Sequence, residues 1–108
     1  MRIEQGMSDK TSTWTVTYSA KAEKQFKAMP EKIRAKMTVL AKEISLSGPI
    51  RRNWHHFGAL EGKGLPRNTY HCHLKEGKPT YVSCWYVVNK ELKSVEVFYV
   101  GTHENAPY

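Results

Sequence analysis

The residues best suited to chemistry in this chain lie in Tyr70-His71-Cys72-His73-Leu74-Lys75. Read as a strand, the segment puts Tyr70, Cys72 and Leu74 on one face and His71, His73 and Lys75 on the other. Side chains alternate along a strand, so the three basic groups stand in a row at a spacing of about 7 Å. A solvated strand face usually mixes Thr, Glu and Lys. Two imidazoles beside a lysine differ, because histidine gives and takes protons near neutral pH. A second such group lies in the tail, Gly101-Thr102-His103-Glu104-Asn105-Ala106-Pro107-Tyr108. A lone surface histidine is more often inert, so the chemistry depends on these two segments meeting.

If they meet, the reaction they suit is RNA cleavage by the RNA's own 2′-OH. That reaction needs a base for the 2′-OH, an acid for the departing 5′-oxygen and positive charge at the phosphate; each positioned acid or base supplies about 10²–10⁴-fold in rate. His73 and His103 fit the acid and base, with His71 beside them, and Tyr108 is placed to stack on a base or donate a hydrogen bond. Lys75, Lys78 and Arg67 are candidate phosphate clamps. Arg51 and Arg52 open a basic stretch interleaved with Trp54 and Phe57, a composition that suits stacked bases and held phosphates. The same stretch reads equally well as a surface loop pinned to the core by its two aromatics. His55 and His56 belong to it and rank below the strand and tail histidines, and Glu104 reads as solvated.

No metal or other cofactor is expected. His71, Cys72, His73 and Cys84 are near one another in sequence or plausible hairpin space, but consecutive strand residues face opposite ways. The paired spacings of structural zinc sites are absent. A nucleophilic Cys72 is also disfavoured, because a thiol on the core face of a strand is not activated.

The net charge of +7 on 108 residues favours a polyanionic partner, most often nucleic acid. The length fits one domain with a single core. No apolar run approaches the roughly 20 residues that span a bilayer, so no membrane partner is expected. Residues 1–13 are polar, without a signal peptide's apolar core, and are expected to be flexible. With only Cys72 and Cys84, both read as buried thiols, the chain is expected in the cytoplasm.

The domain that must position these groups spans residues 14–108. Trp14 to Tyr18 alternates as a short strand, and Ser19 offers an N-cap hydroxyl. Ala22, Phe26 and Met29 recur at helical spacing, Pro30 ends that helix and suits the start of the next, and Ile33, Met37, Leu40 and Ile44 form one apolar stripe before Ser47-Gly48-Pro49. The stripe is core. A short strand is expected around Gly58 to Gly62, then strands over Thr69–Lys75, Thr80–Val88 and Ser94–Val100 joined by short turns, an antiparallel meander. The spacing leaves open whether Tyr81, Ser83 and Trp85 or Val82 and Cys84 share the histidine face.

This element order resembles the RelE/ParE superfamily of bacterial toxins, over about nine-tenths of the chain. The residues that carry the likeness are Trp14 to Tyr18 with Ser19-Ala20-Lys21-Ala22, the Ile33 to Ile44 helix, Leu60-Glu61-Gly62, Tyr70 to Leu74 and Val100-Gly101-Thr102-His103. The resemblance implies an α+β fold, β-α-α-β-β-β, with a twisted antiparallel sheet packed against an N-terminal helical hairpin. Cys72-His73-Leu74 and Gly101-Thr102-His103 look most like the histidine motifs of YafQ-type ribonucleases, so His73 and His103 inherit an acid–base role by resemblance. RelE carries lysines where His71 and His73 stand, and its arginine on the following strand is replaced here by Tyr81 or Val82. Lys75 and Lys78 are then the substitute clamps, and Tyr108 resembles the C-terminal aromatic of such toxins.

What the resemblance implies is a type II toxin cleaving mRNA on the translating ribosome. Its partner would be a cognate antitoxin, and promoter DNA would be bound only through the toxin–antitoxin complex. Two other functions fit the same fold: a ParE-like inhibitor of DNA gyrase, and a basic nucleic-acid-binding module without catalysis.

Overall fold

A computed structural model describes residues 13–108. The expectation of a flexible N-terminal segment therefore falls, up to residue 12, outside the described residues. The elements run β1 (Thr15–Tyr18), α1 (Ala20–Ala28), α2 (Glu31–Ser47), β2 (Gly58–Leu60), β3 (Thr69–Lys75), β4 (Tyr81–Asn89), β5 (Ser94–Thr102) and a short 3₁₀ turn at His103–Asn105. The architecture is the expected α+β one, a five-stranded sheet in the order β1-β5-β4-β3-β2 with the helical hairpin on one face.

Local signals account for the helices. The Ser19 hydroxyl accepts the Ala22 backbone N–H at 3.1 Å and caps α1. Pro30 stands at the N-cap of α2, one position earlier than a first-turn proline, and Gly48 ends the helix at φ 98°, where its N–H donates to the Ile44 carbonyl. A side chain at Gly48 would be strained at that φ and would lie 3.3 Å from the Trp14 indole nitrogen. The apolar stripe of α2, Ile33, Met37, Leu40 and Ile44, is wholly buried. It packs with Ala22 of α1 against Cys72, Leu74, Trp85, Val95, Val97 and Val100 of the sheet.

β2, β3, β4 and β5 form an antiparallel meander, with the Gly58–Leu60 strand at its edge. The sheet is not antiparallel throughout, because β1 joins β5 in parallel, Thr15 opposite Ser94 and Tyr18 opposite Val97. Tight turns dictate antiparallel pairing only between successive strands; β1 reaches its partner from the far end of the chain, so no turn fixes its direction.

The register places Cys84 opposite His71 and Val82 opposite His73. Val82 and Cys84 therefore share the histidine face, while Trp85 turns to the helices. The described strands show three irregularities, one of them between Val87 and Asn89; the other two adjust what the faces near the histidines present. On β5 an extra residue falls between Val97 and Tyr99, which keeps Val97 and Val100 on the helix side and sends Tyr99 to the other. On β3 the register shifts between His73 and Lys75, where the strand bends into the Glu76–Pro79 turn.

The face away from the helices has a small apolar patch of Val82, Cys84 and Tyr99, against which Leu60, Phe98 and Ala106 pack. After β5 the tail folds over this face, and the His103 N–H donates to the Thr80 carbonyl at 2.8 Å. That bond ties the tail to the start of β4, beside the end of β3.

Candidate functional site: a histidine cluster

β3 and the tail do meet. The rings of His73 and His103 lie 5.4 Å apart, centroid to centroid, nearly perpendicular at 76°. Tyr108 closes the group, its ring 4.8 Å from His71 and 5.7 Å from His103, and His71 is 6.3 Å from His73. A groove opens beside them, lined by His73, Lys78, Thr80, Thr102, His103 and Glu104. Two imidazoles, an ammonium and, next to them, a phenol thus converge from three separate segments.

His73 is the most constrained of these groups. Its side chain is 11% exposed, and its Nδ1 lies 3.0 Å from both carboxylate oxygens of Glu76. An ionised carboxylate only accepts, so Nδ1 carries the proton and donates, and Nε2 is left free. The hydrogen bond from His73, with the charges of the surrounding imidazoles, holds Glu76 below the usual carboxylate range.

His71 lies beside His73 on β3, its Nδ1 donating to the Gly58 carbonyl at 3.2 Å. Burial pushes His71 below the ordinary imidazole range, and the neighbouring imidazoles push the same way. His71 is thus neutral at physiological pH, a ring packed under Tyr108. Burial also pushes the Tyr108 phenol up to about 12, so it stays a hydrogen-bond donor. His103 is exposed at the rim of the groove.

The candidate cations divide. Lys78 lines the groove. Lys75 turns away after the β3 irregularity, its ammonium donating to the Glu76 carbonyl at 3.3 Å. Arg67 lies in a different hollow beside β2, with Leu60 and Asn68. Arg51 is an anchor: its guanidinium is 3.5 Å from the Glu43 carboxylate of α2. Glu43 also accepts from Asn53 and the Trp54 indole at 2.9 Å. Burial pushes Glu43 up, but these hydrogen bonds and the Arg51 charge outweigh it and hold it low. Arg52 is exposed in the same loop and does not line the groove. The loop is thus pinned in place, with Phe57 stacked on Tyr70 at 5.6 Å.

Two members of the cluster carried little weight in the sequence. His56 stacks against His73 with centroids 4.3 Å apart, and its Nε2 is 3.5 Å from Glu76. His55 Nδ1 is 3.9 Å from the same carboxylate. A backbone bond holds this part of the loop against β3, the His73 N–H donating to the His55 carbonyl at 2.8 Å. No periodicity encodes that bond. Glu76 read only as a turn residue, although its spacing of three from His73 at a strand end was the available clue.

The cysteines are both free, buried thiols. Cys72 faces the helices and Cys84 the histidine side. Burial raises both, Cys84 to about 12, so neither is a nucleophile at neutral pH.

No protein-family model matches the chain, and no curated protein matches it by sequence. Solved structures do share its fold. A mutant of the E. coli toxin RelE in the free state superposes with a TM-score of 0.61 at 20% identity, covering 87% of each chain. The toxin–antitoxin complex RelBE2 from Mycobacterium tuberculosis gives 0.62 at 18% identity, covering 91% of this chain and all of that one. An archaeal RelE–RelB complex from Pyrococcus horikoshii OT3 gives 0.60 at 17% identity, covering 87% and 99%. The chain therefore has the RelE fold.

Proposed function

We propose that this protein is the toxin of a type II toxin–antitoxin pair and acts as a metal-independent endoribonuclease on mRNA at the ribosome. The observation that carries the reading is the pair His73–His103, 5.4 Å between ring centroids and beside Lys78, on a RelE fold. His73, with Nδ1 held by Glu76, uses Nε2 to take the 2′-OH proton. The 2′-oxygen then attacks phosphorus, a 2′,3′-cyclic phosphate forms, and the P–O5′ bond breaks. His103, at the open rim, gives a proton to the leaving 5′-oxygen. Lys78 supplies charge at the phosphate, and Tyr108, protonated at neutral pH, donates to an oxygen or stacks on a base. His71 holds the tail aromatic in position.

The partner is a cognate antitoxin, a reading supported by the toxin–antitoxin complexes among the structures of like fold. Promoter DNA is bound through that complex, and the protein works in the cytoplasm. Among the described residues no helix is long and apolar enough to cross a membrane.

The test is cleavage of single-stranded RNA by the purified protein, alone and with ribosomes, together with growth arrest on induction. His73→Ala and His103→Ala are each expected to lower the cleavage rate by about 10²–10⁴-fold and to relieve arrest while the protein stays folded. Arrest that persists in both variants would overturn the nuclease. It would favour a gyrase inhibitor or a non-catalytic nucleic-acid binder, neither of which needs convergent imidazoles.

A further inference from the structure

Among the described residues, one set of His, Cys, Asp and Glu side chains could share a metal ion: His56, His73 and Glu76. His73 Nδ1 is 3.0 Å from the carboxylate oxygens, His56 Nε2 is 3.5 Å from Oε2, and the three donors lie within 4.8 Å of one another. Zinc–nitrogen bonds of 2.0–2.1 Å in tetrahedral geometry put donor atoms about 3.3 Å apart, so the set is near coordination distance already. Two imidazoles and a carboxylate suit zinc and its neighbours among transition metals; magnesium and calcium prefer all-oxygen ligands.

The backbone holds the three donors together. The His73–His55 backbone bond docks the loop beside β3, and Glu76 follows where β3 ends. Access is open, since the His56 and Glu76 side chains are 64% and 45% exposed. We infer that His56, His73 and Glu76 form a site for a zinc-class divalent cation that switches off the His73–His103 pair.

The switching part rests on the nuclease reading; the site itself does not. A neutral imidazole carries one proton. In the metal-free state that proton is on His73 Nδ1, donated to Glu76, and Nε2 keeps the lone pair a base needs. A cation bound at Nδ1 moves the proton to Nε2 and takes the Glu76 carboxylate as a second ligand. His73 then donates at Nε2 and accepts nothing. Were His73 an imidazolium beforehand, binding would release one proton to solvent.

The experiment titrates the full-length protein with Zn²⁺ by calorimetry, with Mg²⁺ as control. Co²⁺ absorption provides a second readout of tetrahedral coordination. One equivalent of Zn²⁺ and no Mg²⁺ is expected to bind. His56→Gln and Glu76→Gln are each expected to weaken Zn²⁺ by at least tenfold, whereas His103→Ala binds it like the parent. Wild-type protein without Zn²⁺ binding, or binding that His56→Gln leaves intact, overturns the site. RNA cleavage is then compared with and without one equivalent of Zn²⁺ within each protein. The wild type is expected to lose at least tenfold and His56→Gln to keep its own zinc-free rate. Zinc bound without loss of cleavage overturns the switch. A wild type that cleaves no RNA overturns the nuclease reading, and the titration still decides the site.

Discussion

His73 differs from the other histidines in holding its Nδ1 within 3.0 Å of a carboxylate while its side chain is little exposed. That hydrogen bond fixes both ring orientation and tautomer, which a free imidazole in solvent lacks. Glu76 is thus a positioning residue on the proposed reading. Glu76→Gln is expected to slow RNA cleavage by about tenfold, far less than His73→Ala, because a positioned group still outperforms an absent one. Glu76→Asp should recover part of the loss, since a carboxylate is kept; an unpositioned, merely surface Glu76 would leave both rates at the parental value. The two imidazoles are legible in the sequence by type and alternation. Their carboxylate is not, because turn residues such as Glu76 are ordinarily chosen for solubility and give no periodic signal.

At the scale of elements, the tail is placed by β5, and β5 depends on Gly101. A Cβ there would stand 2.7 Å from Tyr99 Oη, closer than atoms pack, and 3.0 Å from its Cζ. Tyr99 is held in turn, its hydroxyl donating to the Thr102 carbonyl at 2.6 Å. Gly101→Ala must push the tyrosine ring out of the Val82–Cys84 patch and break that bond. The expected cost is about 1–3 kcal/mol, read by urea unfolding, together with loss of cleavage as His103 moves from His73. An alanine variant of full stability and activity would show that Tyr99 moves freely. The helices were legible residue by residue, since burial of Ile33, Met37, Leu40 and Ile44 follows directly from the 3.6 period. Strands β3, β4 and β5 were legible from alternation. The irregularity after His73 was not, because a register shift depends on what the partner strand and turn demand; it is why Lys75 turns from the row that simple alternation gave it. The parallel pairing of β1 was equally invisible, as no local signal records which way a distant edge strand runs.

Across the whole molecule the charge of +7 is a single number that hides two kinds of cation. Arg51 is occupied within the fold: with Trp54 and Asn53 it gathers on Glu43, fastening the loop that carries His55 and His56 to α2. Lys78 instead lines the groove beside His73 and His103, and Arg52 and Arg67 lie outside it. The two kinds separate in one pair of measurements. Lys78→Ala should weaken binding of a non-cleavable single-stranded RNA and flatten the dependence of log affinity on log salt by about 0.7, the value of one phosphate contact on a single strand. Its unfolding midpoint should not move. Arg51→Met should do the reverse: stability falls by about 1 kcal/mol as Glu43 keeps Asn53 and Trp54 but loses its cation, and the salt slope holds. If Arg51→Met lowered the slope as much as Lys78→Ala, the RNA path would have to cross the α2 side of the molecule. The groove between His73 and His103 would then be no more than one stop along it.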